Sequence, residues 1–111
     1  MNADELKGKA LNLAGLVDYA AGAVVSRTVL DKPAGTLTVF SFDDGQGLSE
    51  HTAPYDATVQ VLDGEGEFTV GGNPILLKTG ELLIMPARVP HSVRATGRFK
   101  MLLIMIRAKD A

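Results

Sequence analysis

The chain has 111 residues, 46% hydrophobic and 22% charged, with 11 Lys and Arg against 13 Asp and Glu for a net charge of -2. That is the size of one domain and the balance of a folded globular chain, and no basic excess supports a nucleic-acid partner. The absence of cysteine excludes a disulfide framework, thiolate zinc sites and a cysteine nucleophile, and it accords with a cytoplasmic location.

The first residues, Met1-Asn2-Ala3-Asp4-Glu5, are polar and acidic, without the basic flank and apolar run of a secretory signal. Between Asp4 and Tyr19, Leu11, Leu13, Leu16 and Val17 suit one apolar face of a short helical turn, or an irregular segment laid on a larger body. Residues 1–22 are therefore expected to form an N-terminal segment packing on a barrel made by residues 23–111, the whole being a single domain.

From Ala23 onward, Gly and Pro punctuate the chain at the spacing of many short strands. Ala23–Leu30 is β-rich and stops at the turn cluster Asp31-Lys32-Pro33-Ala34-Gly35. Thr36–Phe42 is β-branched and aromatic, and ends in Asp43-Asp44-Gly45-Gln46-Gly47. Ala57–Leu62 reads as a strand before the tight-turn pair Asp63-Gly64. Glu67–Val70 alternates, with Phe68 and Val70 on one face, and Gly71-Gly72-Asn73 closes a hairpin into Ile75–Leu77. Leu82–Met85 is a short apolar strand that Pro86 ends. His91–Arg94 and Phe99–Arg107 follow, separated by Thr96-Gly97. Such a run of short strands predicts an all-β sandwich or barrel.

The longest apolar run, Met101 to Ile106, is far below the roughly 18–20 residues of a membrane span, so no membrane partner is expected. Its side chains point to both faces of a strand, and each face must meet apolar surface. Together with the edge exposed by Ala23–Leu30, this predicts a homodimer. The alternative is a monomer whose residues Leu11–Val17 cover the outer face.

Two segments carry a more specific pattern. One runs Gly45, five residues, His51-Thr52-Ala53, three residues, Ala57, six residues, Gly64. The other runs Gly80, five residues, Pro86-Ala87-Arg88, two residues, His91, three residues, Ala95. These spacings resemble the two motifs of the cupin superfamily, G-x5-H-x-H-x3-E-x6-G and G-x5-P-x-G-x2-H-x3-N, as found in small single-domain bacterial cupins. The resemblance implies an RmlC-like jelly roll, also called a double-stranded β-helix barrel. Gly45, Gly64, Gly80 and Pro86 keep the scaffold positions, where glycine relieves turns and proline ends a strand.

The chemical positions are reduced. The resemblance implies four metal ligands, of which His51 and His91 remain, while Ala53 and Ala57 stand at the other two. Arg88 and Ala95 replace the Gly and Asn of the second motif. Imidazole suits a divalent transition metal such as Zn, Fe, Ni or Mn, and three or four ligands are the rule. Gln60 and Asp56 are the third-ligand candidates, with Tyr55 and Glu50 also near in sequence. Strand alternation, however, turns Gln60 and Asp56 away from the face of Ala57 unless a bulge intervenes. Without metal, the histidines are hydrogen-bonded groups at the barrel mouth, or touch substrate directly as base or donor. Tyr55 and Arg88 are candidate ligand-binding residues, Arg88 for a carboxylate or phosphate. Met85, Met101 and Met105 read as fillers of core gaps. The expected function is small-molecule binding in the barrel, with or without a weakly held metal. The alternative is a metal-dependent enzyme of dioxygenase or isomerase type using His51 and His91.

Overall fold

The computed structural model describes residues 3–108. Met1, Asn2 and residues 109–111, at the ends of the expected segment and barrel, lie outside the described residues. Nine strands follow in chain order: β1 (Val24–Lys32), β2 (Gly35–Phe42), β3 (Gly47–His51), β4 (Ala57–Asp63), β5 (Glu65–Val70), β6 (Asn73–Lys78), β7 (Leu82–Met85), β8 (His91–Ala95) and β9 (Phe99–Ile106). They form one sheet of order β1-β2-β9-β4-β7 and a second of order β3-β8-β5-β6, with every pairing antiparallel. The four strands β2-β9-β4-β7 face β3-β8-β5-β6, which is the jelly-roll barrel, and β1 extends the first sheet.

Strand alternation fills the space between the sheets. In β4, Ala57, Val59 and Val61 are buried while Thr58, Gln60 and Leu62 are not, the period-2 signature of a strand with one face on a core. Phe42 and Phe99 stack at 4.5 Å between ring centroids, and Phe99 meets Phe68 of the opposite sheet edge-to-face at 6.1 Å. The Phe99 ring lies directly over Gly66, where an added Cβ would come within 2.7 Å of Cζ. This close approach, which only a residue without a side chain permits, closes the barrel at the end away from the histidines.

Asp63-Gly64 does not close a hairpin. β4 and β5 lie in different sheets, so this pair, with Gly64 at φ 71°, is the corner that carries the chain across the barrel. β3, unmarked by periodicity in the sequence, is exposed except at Leu48 and pairs only with β8. An edge strand with this little burial carries no alternation to read.

The N-terminal residues form two 3-10 turns, Ala3–Leu6 and Leu13–Leu16, rather than one helical turn. Leu6 and Val17 join Val29, Val39 and Leu102 in a second apolar cluster, with Leu11, Leu13 and Leu16 packed against it. This segment lies on the outer face of the first sheet. Buried Ser41 donates to the Asp18 carbonyl at 2.8 Å, and Lys100 Nζ donates to the Ala14 carbonyl at 2.6 Å. The cover stops short of β7: Leu82, Ile84 and Ile106 remain exposed. No helix of the described residues is long and apolar enough to cross a membrane.

Candidate functional site

The barrel encloses a cavity of about 70 Å³ between its sheets, room for about five waters or as many ligand heavy atoms. Leu48, Val59, Val93 and Leu103 give it apolar walls, with Ala53, Ala57, Met85, Met101 and Met105. The two remaining lining residues are His51 and His91, so the imidazoles are its polar side chains.

Their positions follow from the strands. His51 ends β3 and His91 begins β8, and the two are direct cross-strand partners. A register shift between Leu48 and His51 turns the end of the edge strand, as bulges do. His91 is buried, 3% exposed, while His51 is exposed. The rings meet edge-on, with centroids 4.3 Å apart and planes at 70°, and the two Nε2 atoms are 3.1 Å apart.

The outer ring nitrogens fix the tautomers. His51 Nδ1 lies 2.7 Å from the Ser49 carbonyl oxygen, and His91 Nδ1 lies 3.2 Å from that of Val89. A carbonyl oxygen only accepts, so each Nδ1 carries hydrogen and donates. In the neutral rings both Nε2 atoms then present lone pairs, and these converge on one point at the cavity mouth. A proton between them, or a ligand seated on both, removes the repulsion. Burial lowers the His91 pKa from its usual value; the Val89 hydrogen bond works against this and the charge of His51 adds to it. A second proton on the pair is thus disfavoured.

The third-ligand candidates are not brought to this point. Gln60 points away from the cavity, as alternation predicts, and donates to the Gly80 carbonyl at 3.3 Å. Asp56 accepts from the Ala87 amide at 2.8 Å and so fixes the loop after β7. Glu50 is exposed, Tyr55 is half-buried, and neither lines the cavity. Among the described residues no group of three His, Cys, Asp or Glu side chains could hold a metal ion. Two imidazoles with Nε2 atoms 3.1 Å apart span one edge of a coordination sphere, since metal–nitrogen bonds of ~2.0–2.1 Å at angles of ~90–109° need ~2.8–3.4 Å. A divalent ion requiring three or four nitrogen or carboxylate ligands does not fit this donor set.

Arg88 sits at the rim with φ 64°, the one non-glycine residue in the left-handed region among those described. Its amide donates to the carbonyl of cavity-lining Ala53 at 2.8 Å. Its side chain is exposed, and it is not among the lining residues. What sequence reasoning missed is the direct pairing of the histidines, because β3 gave no strand signal, and the placing of all three core methionines on the cavity wall.

The family model named Cupin domain matches residues 38–107. No curated protein matches the chain. Among solved structures, a conserved protein of unknown function from Streptococcus pyogenes is 33% identical, with 93% of this chain and 90% of that one covered and a TM-score of 0.86. A cupin superfamily protein from Desulfitobacterium hafniense is 31% identical, over 90% and 92% of the two chains, with a TM-score of 0.85. A cupin 2 conserved barrel domain protein from Leptotrichia buccalis is 46% identical over 87% of this chain and 47% of its own, with a TM-score of 0.84.

Proposed function

The chain belongs to the cupin domain family, and on that footing we propose that it binds a small molecule in the barrel cavity, held at its polar end by the Nε2 atoms of His51 and His91. The observation that carries this reading is the convergence of two Nε2 atoms, 3.1 Å apart, on an otherwise apolar cavity. Binding sites generally pair apolar walls with a few placed polar groups. The volume of about 70 Å³ sits well under the ~300–1,000 Å³ of drug-sized sites, so the ligand, or the part of it that enters, has only a few heavy atoms. A short-chain carboxylate suits the site: its tail meets the methionine and leucine walls, and its oxygens meet the histidine pair in the singly protonated form. Arg88 at the rim adds a positive charge on the approach. Calorimetric titration with acetate, propionate and butyrate tests this. Saturable binding that His51→Ala abolishes is expected; heats that are the same in that variant would overturn it.

The metal-dependent enzyme is the second reading, favoured by the same convergence of lone pairs. The donor set weighs against it for a divalent ion, since solvent or substrate would have to complete the sphere. The chain is further proposed to form a homodimer in the cytoplasm. The N-terminal segment covers Leu102 on the outer face of β9 but leaves Ile106, with Ile84 and Leu82 nearby on the same sheet, in solvent. A second copy would cover them across a two-fold axis.

A further inference from the structure

The two nitrogens share their cavity with another class of donor, the methionine thioethers. Ala57 pairs with Met85 on one side and with Met105 on the other, so both methionines flank it on the same face of the sheet. Met85, Met101 and Met105 all line the cavity that His51 and His91 line. Met85 and Met101 are almost wholly buried and Met105 is half-buried. The short Ala57 side chain leaves open the space beside it, and an unbranched thioether with three rotatable bonds can swing into such a gap.

We infer that this cavity takes a soft monovalent cation, Cu(I), bound by Nε2 of His51, Nε2 of His91 and the thioether sulfur of Met85 or Met105. Thioether sulfur is selective for Cu(I) over hard divalent ions, and imidazole suits copper as well. Cu(I) is stable with two or three ligands, so the absent carboxylate is no handicap. Both Nδ1–H groups already donate to backbone carbonyls, the outer contact that orients a ligating histidine. Apart from the two imidazoles the cavity walls are apolar, so they offer no hard oxygen donor in competition with the thioethers. The inference rests on the same premise as the proposed function, that the Nε2 pair is the binding group of the cavity.

The test is anaerobic titration of the full chain with Cu(I) alone, kept reduced with ascorbate, in competition with a chromogenic Cu(I) chelator. One equivalent is expected to bind, and excess Zn(II) should not displace it. The copper X-ray absorption edge of the wild-type complex should show sulfur beside nitrogen. Replacing Met85 and Met105 together by Leu, a swap of nearly conserved volume, should weaken Cu(I) by at least about tenfold, as loss of even an outer contact does. A copper shell of nitrogen and oxygen only, unchanged affinity in the double variant, or displacement by Zn(II) would each overturn the inference. Propionate is titrated in parallel: propionate binding without Cu(I) binding overturns this inference and leaves the proposed function standing. Cu(I) binding with sulfur in the shell but no propionate binding supports it and overturns the carboxylate reading.

Discussion

His51 and His91 are opposite one another across the β3–β8 pair, and each donates its Nδ1–H to the carbonyl two residues before it. The symmetry leaves no neutral arrangement in which Nε2 donates to Nε2, so one proton or a bound ligand completes the pair, and it is the further proton on buried His91 that folding opposes. This gives the site a pH dependence. The folded-state pKa of His91 is lowered, first by burial, so the unfolded chain binds its proton more readily than the folded one. Stability from this group is fully present above the unfolded value of ~6.5 and declines as pH falls below it. Thermal melts between pH 7.5 and 5 should show a falling midpoint, and His91→Phe should flatten part of that slope. A midpoint that rises on acidification would contradict the burial of a neutral His91.

Arg88 occupies a left-handed backbone position, φ 64°, at a point where the motif it resembles has glycine. Left-handed conformation costs a residue with a Cβ ~1–2 kcal/mol, and glycine returns ~0.4–1 kcal/mol of this through the unfolded chain. Arg88→Gly should therefore leave stability equal or raise it by up to about 1.5 kcal/mol in urea unfolding. The same variant should weaken carboxylate binding, since a rim charge is lost. A variant less stable than wild type would show that the arginine side chain makes a contact worth more than the strain.

Gly66 under the Phe99 ring predicts a sharp steric effect. A methyl there would lie 2.7 Å from Phe99 Cζ, and that ring is locked between Phe42 and Phe68. Gly66→Ala should cost ~1–3 kcal/mol, the usual price of overpacking, read as a lower urea midpoint at unchanged slope. A neutral result would mean that the aromatic stack gives way easily.

The uncovered side chains Leu82, Ile84 and Ile106 bear on assembly. Light scattering at micromolar concentration should give twice the mass of one chain, and Ile84→Lys with Ile106→Lys should give the single-chain mass with the fold intact by circular dichroism. A wild-type mass of one chain would rule the dimer out.

Much of the barrel is legible in the sequence because its strands bury one face. Ala57, Val59 and Val61 alternate with Thr58, Gln60 and Leu62, and the same alternation correctly turned Gln60 away from the cavity. β3 was not legible, since Gly47, Ser49, Glu50 and His51 are all exposed and the strand is fixed by backbone pairing to β8 instead. The histidines could be named from motif spacing, but their contact depends on that pairing and on the shift between Leu48 and His51. The methionines looked like core fillers one at a time. Only the register of β4 with β7 and β9 sets Met85 and Met105 on either side of Ala57.

The site's binding chemistry depends on the state of the four imidazole nitrogens. Long-range proton–nitrogen correlation spectra of the uniformly labelled protein distinguish protonated from bare ring nitrogens. Both Nδ1 atoms should carry hydrogen, and propionate should shift both Nε2 resonances together while leaving the Nδ1 resonances nearly fixed. A bare Nδ1 on either histidine, or propionate binding that leaves both Nε2 resonances where they were, would rule out the Nε2 pair as the binding group.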